Sequence, residues 1–301
     1  MIGSLFSGIG GLELGLERAG VGRTAWQCEQ DTAAQAVLRR HWPGLPIYDD
    51  VRRIGAANVG PVDVLCGGFP CQDISLAGSG AGLEGARSGL WFEYLRLVRE
   101  LRPRHVVAEN VAALVTRGLD TVLGGLAESG HDALWFTLRA SDVGAPHRRE
   151  RLFIIAWRLD VGPGRVSDAD GGAVRELAER SDVGRGGETA EVGHAESVGR
   201  REGRTECTGR ERLAALVEHG GQHEWPPGPG DTEAWAAYLE RHPGRAPAVG
   251  GKLNPGFVEA LMGFPDGWTD GARRNQRLKM LGNAVVPQCG EVVGHVIGGL
   301  T

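Results

Sequence analysis

Short apolar runs recur through the first half of the chain, at residues 2–6, 62–65, 106–108 and 152–156. Unbroken apolar runs of this length predict strands buried on both faces. Helical periodicity lies between them, over Thr32–His41 and over Leu90–Leu101, the latter stopped by Pro103. Such alternation across residues 1–158 predicts an α/β fold: a mostly parallel sheet with helices on both faces and ligands at the carboxyl ends of the strands.

From about residue 160 to 221 the pattern dissolves. Gly, Arg, Glu and Ser dominate, and no period emerges. This stretch reads either as a flexible insert or as a loosely folded recognition segment. Residues 225–230 are turn-rich. Asp231 is placed to cap a short helix through Glu240, closed by Pro243. Regular structure is expected to resume at Lys252, and residues 291–300 form a terminal element. No internal repeat is present.

Composition narrows the class. The 301 residues are 41% hydrophobic, as in a globular protein, and no run of about 18 apolar residues suggests a membrane span. No basic region precedes the first apolar run, so no signal peptide is expected. The five cysteines, Cys28, Cys66, Cys71, Cys207 and Cys289, are odd in number and scattered, which fits a reducing cytoplasm. The net charge of −5 argues mildly against a nucleic-acid partner. However, residues 161–250 carry 11 Lys+Arg against 16 Asp+Glu, so the remainder is neutral and free to hold local basic patches.

Four segments carry candidate chemistry. The first, residues 6–15, holds Phe6, Gly8, Ile9, Gly10 and Gly11 between a strand and a helix. Its glycines allow close backbone approach, and the helix start offers free N–H donors. By itself it fits a dinucleotide, S-adenosylmethionine or a plain tight turn. Glu29, at the expected end of the second strand, could accept from ribose hydroxyls, and Asp50 from an adenine amino group. Each acid taken alone also fits a solvated surface carboxylate.

In the second segment the strand at 62–65 empties into a loop carrying Pro70 and Cys71. Glycines at 78, 80, 82, 85 and 89 would let that loop close over a substrate. Cys66, inside the apolar run, reads as structural. The third is Glu109-Asn110-Val111, where an acid and an amide end a buried strand, a costly placement unless they serve a site. The fourth is His147 to Arg151, in which Arg149 and Arg151 would share one face as a strand begins. Cys207 with His219 and His223 suggests half of a zinc finger, but the second cysteine is missing, so no metal is expected.

Taken together and in order, these blocks resemble the bacterial and phage cytosine-5 DNA methyltransferase family. The segment from Arg277 through Gly282, Asn283 and Val285, and that from Leu253 to Trp268, complete the likeness. It spans residues 1–158 and 252–290. The resemblance implies a Rossmann-like S-adenosylmethionine-dependent catalytic domain over 1–158. It also implies a small, irregular target-recognition region over 159–272 and a segment over 273–301 that returns to the catalytic domain.

It further implies that Phe6 packs on adenine and that the backbone from Gly8 to Gly11 borders the methionine part. Glu29 would hold the ribose, Asp50 and Val51 the adenine, and Pro70, Leu90 and Asn283 would line the same pocket. Gln30 stands where the family often has a large stacking residue, and His147 replaces the usual Gln. Cys71 would be the nucleophile, Glu109 the partner of cytosine N3, Arg151 the partner of O2, and Arg149 its support. The implied setting is a monomer acting on double-stranded DNA in a bacterial cytoplasm, phage-encoded or not, with a cognate restriction endonuclease as a partner that the chain itself does not reveal. Three alternatives stand: an RNA cytosine-5 methyltransferase of the same fold, a non-catalytic S-adenosylmethionine-responsive DNA-binding protein, and, from the glycine turn alone, a nicotinamide-dependent dehydrogenase.

Overall fold

The computed structural model describes residues 1–70, 89–160 and 223–299. Its central sheet holds β1 (Ile2–Leu5), β2 (Thr24–Cys28), β3 (Ile47–Tyr48), β4 (Val64–Gly68), β5 (His105–Val111), β6 (His131–Arg139) and β7 (Glu150–Arg158). The strands lie in the order β3-β2-β1-β4-β5-β7-β6. The first five pair in parallel, while β7 runs antiparallel to both β5 and β6. This is the mostly parallel sheet that the apolar alternation predicts.

The helices among the described residues are α1 (Gly11–Arg18), α2 (Thr32–His41), α3 (Leu90–Leu101), α4 (Leu119–Glu128), α5 (Thr232–Arg241), α6 (Pro255–Leu261), α7 (Arg274–Asn283) and α8 (Pro287–Gly299). The bounds of α2 and α3 are those the periodicity predicts. Asp31 caps α2 by accepting from the Ala33 and Ala34 amides at 2.8 and 3.3 Å. Past α3, Arg102 turns left-handed at φ 47°, directly before Pro103. Asp231 caps α5 through the Ala234 amide at 3.0 Å.

Regular structure resumes before Lys252. A small hairpin pairs β8 (Ala248–Val249) with β9 (Lys252–Leu253). The terminal helix also starts earlier than expected, at Pro287, a residue suited to a first helical turn. The insert expected at 160–221 lies almost wholly outside the described residues, as do the glycine-rich loop after Pro70 and Cys207.

Residue alternation along the central strands feeds two cores. Val64, Cys66, Val107, Phe153 and Ile155 face one side, under α1 and α8. Leu65, Val106, Ala108, Leu152, Ile154 and Ala156 face the other, against α3 and α4. Cys66 is fully buried, in keeping with a structural role. α1 and α8 meet backbone to backbone: a Cβ added to Gly15 would lie 2.2 Å from the Pro287 carbonyl oxygen. No helix among the described residues is long and apolar enough to cross a membrane.

Two features of this topology position the site. The chain leaves β1 toward β2 and β3, then returns to the other flank of β1 as β4. That reversal opens a crevice at the carboxyl ends of the strands. The antiparallel return of β7 then brings the start of β7 beside the end of β5, pairing Val111 with Arg151.

Candidate active site

A cavity of about 510 Å3 opens at that crevice. Each strand ending there contributes to it: Phe6 follows β1, Glu29 and Gln30 follow β2, Asp50 and Val51 follow β3, and Pro70 follows β4. Gly8, Leu90 at the start of α3 and Asn283 at the end of α7 also line it.

The turn after β1 takes left-handed φ values at Phe6 (54°), Gly8 (57°) and Gly10 (82°). Phe6, with a β-carbon, is strained there, and surrounding contacts hold it. The Ser7 amide donates to the Cys28 carbonyl at 3.1 Å, and the Gly10 amide to the Ser7 carbonyl at 2.9 Å. Glu29 fixes the turn from β2: its Oε2 accepts from the Gly8 amide and its Oε1 from the Asp31 amide, both at 2.7 Å.

Ile9, Gly10 and Gly11 lie outside the cavity wall, unlike their neighbours in the expected set. The chain turns into α1 at Gly11, and these three residues pack on other segments. Trp268 Nε1 donates to the Ile9 carbonyl at 2.9 Å. A Cβ on Gly10 would lie 2.4 Å from the Trp42 ring, and one on Gly11 would lie 2.1 Å from the Val285 carbonyl oxygen. Their glycines and backbone thus serve close packing.

Next to the cavity stands a carboxylate–guanidinium pair. Glu109 and Arg151 are diagonal neighbours across β5 and β7, and Arg151 Nε lies 3.0 Å from Glu109 Oε1. Gly68, paired with Glu109 across β4 and β5, lines the cavity and leaves room for the carboxyl group. A Cβ at 68 would fall 2.6 Å from Glu109 Oε2. Burial raises the Glu109 pKa above the usual carboxylate range, opposed by the charges of Arg151 and Arg149.

Arg149 Nη2 donates to the Ala284 carbonyl at 2.8 Å, directly after the cavity residue Asn283. Burial, with the charge of Arg151 second, lowers the Arg149 pKa to about 10. Its buried Nε has no partner among the described residues. Asn110 Nδ2 donates to the Phe69 carbonyl at 2.8 Å, and Asn110 Oδ1 accepts from the Val111 amide at 2.9 Å. The side chain therefore fixes the backbone immediately before Pro70. His147 Nε2 lies 2.8 Å from the Leu261 carbonyl oxygen, tying the arginine segment to α6.

Cys71 lies outside the described residues, and its neighbour Pro70 lines the cavity. Cys207 and His219 also fall outside them. His223 Nε2 is 2.8 Å from the Ala260 carbonyl oxygen, and its ring packs edge-on to Trp225. No group of three or more metal-ligating side chains occurs among the described residues.

Sequence reasoning missed several wall residues. Asp31 and Asp49 flank acids it did name, and Gly68 sits inside the block that contains Pro70. Lys279 and Met280 lie one helical turn before Asn283, a spacing that could have found them.

Residues 1–182 match the family model described as C-5 cytosine-specific DNA methylase. The chain belongs to this family. Among its relatives is the Type II methyltransferase M.Bsp6I of Bacillus sp. (strain RFL6), 37% identical over 163 residues. That match covers 52% of this chain and 52% of the relative's own length. The Type II methyltransferase M.HhaI of Haemophilus parahaemolyticus is 28% identical over 98% of this chain and 93% of its own. The fold is shared with a crystal structure of Spodoptera frugiperda DNMT2, at TM-score 0.60 and 16% identity over 99% of both chains. It is also shared with Entamoeba histolytica methyltransferase EhMeth, at TM-score 0.57 and 14% identity over 98% of this chain and 97% of the other.

Proposed function

We propose that this chain transfers a methyl group from S-adenosylmethionine to carbon 5 of a cytosine flipped out of duplex DNA, through a covalent adduct with Cys71. The observation that carries this reading is the Glu109–Arg151 pair, its carboxyl buried and its guanidinium half-buried, beside a cavity at the sheet's switch point that Gly68 lines next to Glu109. The cavity suits the cofactor in kind. Carboxylates of Glu29 and Asp50 offer acceptors for ribose hydroxyls and an adenine amino group, while Phe6, Val51 and Leu90 offer apolar surface. When bound, S-adenosylmethionine supplies an electrophilic sulfonium methyl.

The chain's own residues do the rest. Cys71 thiolate adds to carbon 6 of the base, and the electrons displaced toward N3 are met by a proton from Glu109 in its acid form. Carbon 5 thereby becomes enamine-like and nucleophilic. Arg151 holds Glu109 and faces the base's O2, while Arg149 links this group to the backbone beside Asn283. After methylation, loss of the carbon 5 proton to water expels the thiolate, and N3 returns its proton to Glu109, which restores the ring and the acid form of Glu109. Asn110 positions the backbone leading to Cys71. The target atom is inaccessible in a stacked duplex, so the base must leave it.

The same reading assigns target recognition to residues 159–272, with 273–301 returning to the catalytic domain. It places the chain as a monomer in a bacterial cytoplasm, beside a restriction endonuclease where one is encoded. Labelled methyl transfer to duplex DNA and to tRNA tests the choice of substrate, and bisulfite sequencing of DNA from expressing cells then reads the target. Label in DNA is expected. Label confined to tRNA would overturn the DNA assignment, and label in neither would overturn the activity.

A further inference from the structure

Two cavity residues with no part in the mechanism face each other at its rim. Lys279 on α7 and Asp31 at the start of α2 both line the cavity. Their side chains are 71% and 40% exposed, which puts them at its open edge. Lys279 Nζ lies 3.7 Å from Asp31 Oδ2, within ion-pair reach but longer than a hydrogen bond. Asp31 is itself rigid. Its Oδ1 caps α2, and its amide donates to Glu29 Oε1, so it is joined to the acid proposed to hold the ribose. Lys279 sits one turn before Asn283, which lines the same cavity.

The rim holds a second cation, Arg52, but Asp50 binds it at 2.9 and 3.0 Å. Lys279 meets its partner only at 3.7 Å. Beside Asp31 stands Gln30, an exposed polar residue that lines the same cavity. A lysine stem of four methylenes can cover apolar surface at a cavity rim while its ammonium stays in water on a carboxylate.

We propose that Lys279 is a cofactor latch: its stem lies along the cavity rim, and Asp31 fixes its ammonium across that rim. The latch joins α7 to the turn after β2, so it slows cofactor escape without entering the chemistry. This inference rests on the cofactor reading above.

Calorimetric titration of S-adenosylmethionine into the full chain, with stopped-flow dissociation, tests it without measuring activity. Lys279→Ala removes both stem and charge and is expected to weaken binding about fivefold, mostly through faster release, as befits one partly exposed pair and a short stem. Lys279→Met keeps the stem and should lose about twofold. Asp31→Asn keeps the helix cap and should match Lys279→Met, with the double variant no worse than either. Added salt should speed release from the wild type more than from these variants. Release from Lys279→Ala at the wild-type rate, with the same salt dependence, would overturn the latch. No binding to the wild type would instead overturn the cofactor reading itself.

Discussion

Glu109→Gln is expected to slow single-turnover methyl transfer by about 10²- to 10⁴-fold, the range for loss of a positioned proton donor. The change is nearly isosteric, so Gly68 still leaves room for it and Arg151 still has a carbonyl oxygen to bond. Cofactor affinity should stay within about twofold, because Glu109 is not part of the cavity wall. The pH profile separates a proton donor from a purely structural acid. Burial pushes the Glu109 pKa up, so the donor form survives above the ordinary value of about 4.3. Activity should fall as pH rises through the raised pKa, and this limb should vanish in Glu109→Gln. A variant within threefold of wild type, or one keeping the same alkaline limb, would remove Glu109 from the chemistry.

Glu13→Gln is expected to stabilise the protein at alkaline pH. Glu13 is fully buried on α1, next to the turn that follows β1. The Ser4 hydroxyl donates to its Oε1 at 2.5 Å, while Oε2 has no partner among the described residues. Burial pushes its pKa from 4.5 to about 7. A carboxyl with a raised folded-state pKa binds protons more tightly in the folded chain, so folding loses stability as pH climbs from the unfolded to the folded value. Each pH unit across that window costs about 1.4 kcal/mol, on the order of 3 kcal/mol in all above pH 7. Gln cannot ionise and escapes the loss. Urea unfolding near pH 5 and pH 8 measures the difference: the gap should widen toward pH 8 in favour of Glu13→Gln. Parallel pH dependence in the two proteins would show that Glu13 does not titrate in the folded chain.

The parts of this protein that sequence reveals are those governed by short-range rules. β4, β5 and β7 announce themselves because both faces of the sheet are covered, leaving apolar runs without polar interruptions. α2 is legible from Asp31 before it, and α3 from Pro103 behind it. β6 is not, because it is an edge strand whose burial is only partial. The nearness of Glu109 to Arg151 could be inferred only from the family likeness, since it depends on the reversed direction of β7. The same limit applies to Ile9, Gly10 and Gly11. A glycine-rich turn does not say which of its residues face a ligand and which meet Trp42, Val285 and Trp268 from distant parts of the chain. The spacing to Asn283 could have placed Lys279 at the cavity, but not its pairing with Asp31, which belongs to another element altogether.

The central claim is covalent catalysis by Cys71, assisted by Glu109 and Arg151. It is tested most directly with duplex DNA carrying 5-fluorocytosine at the target position. Fluorine at carbon 5 cannot leave as a proton does, so the cycle should stop after methylation with the base still bonded to sulfur. The wild-type chain should form an adduct that survives denaturant and requires S-adenosylmethionine, and Cys71→Ala should form none. Absence of the adduct in a wild type that methylates ordinary cytosine, or an undiminished adduct in Cys71→Ala, would contradict the account.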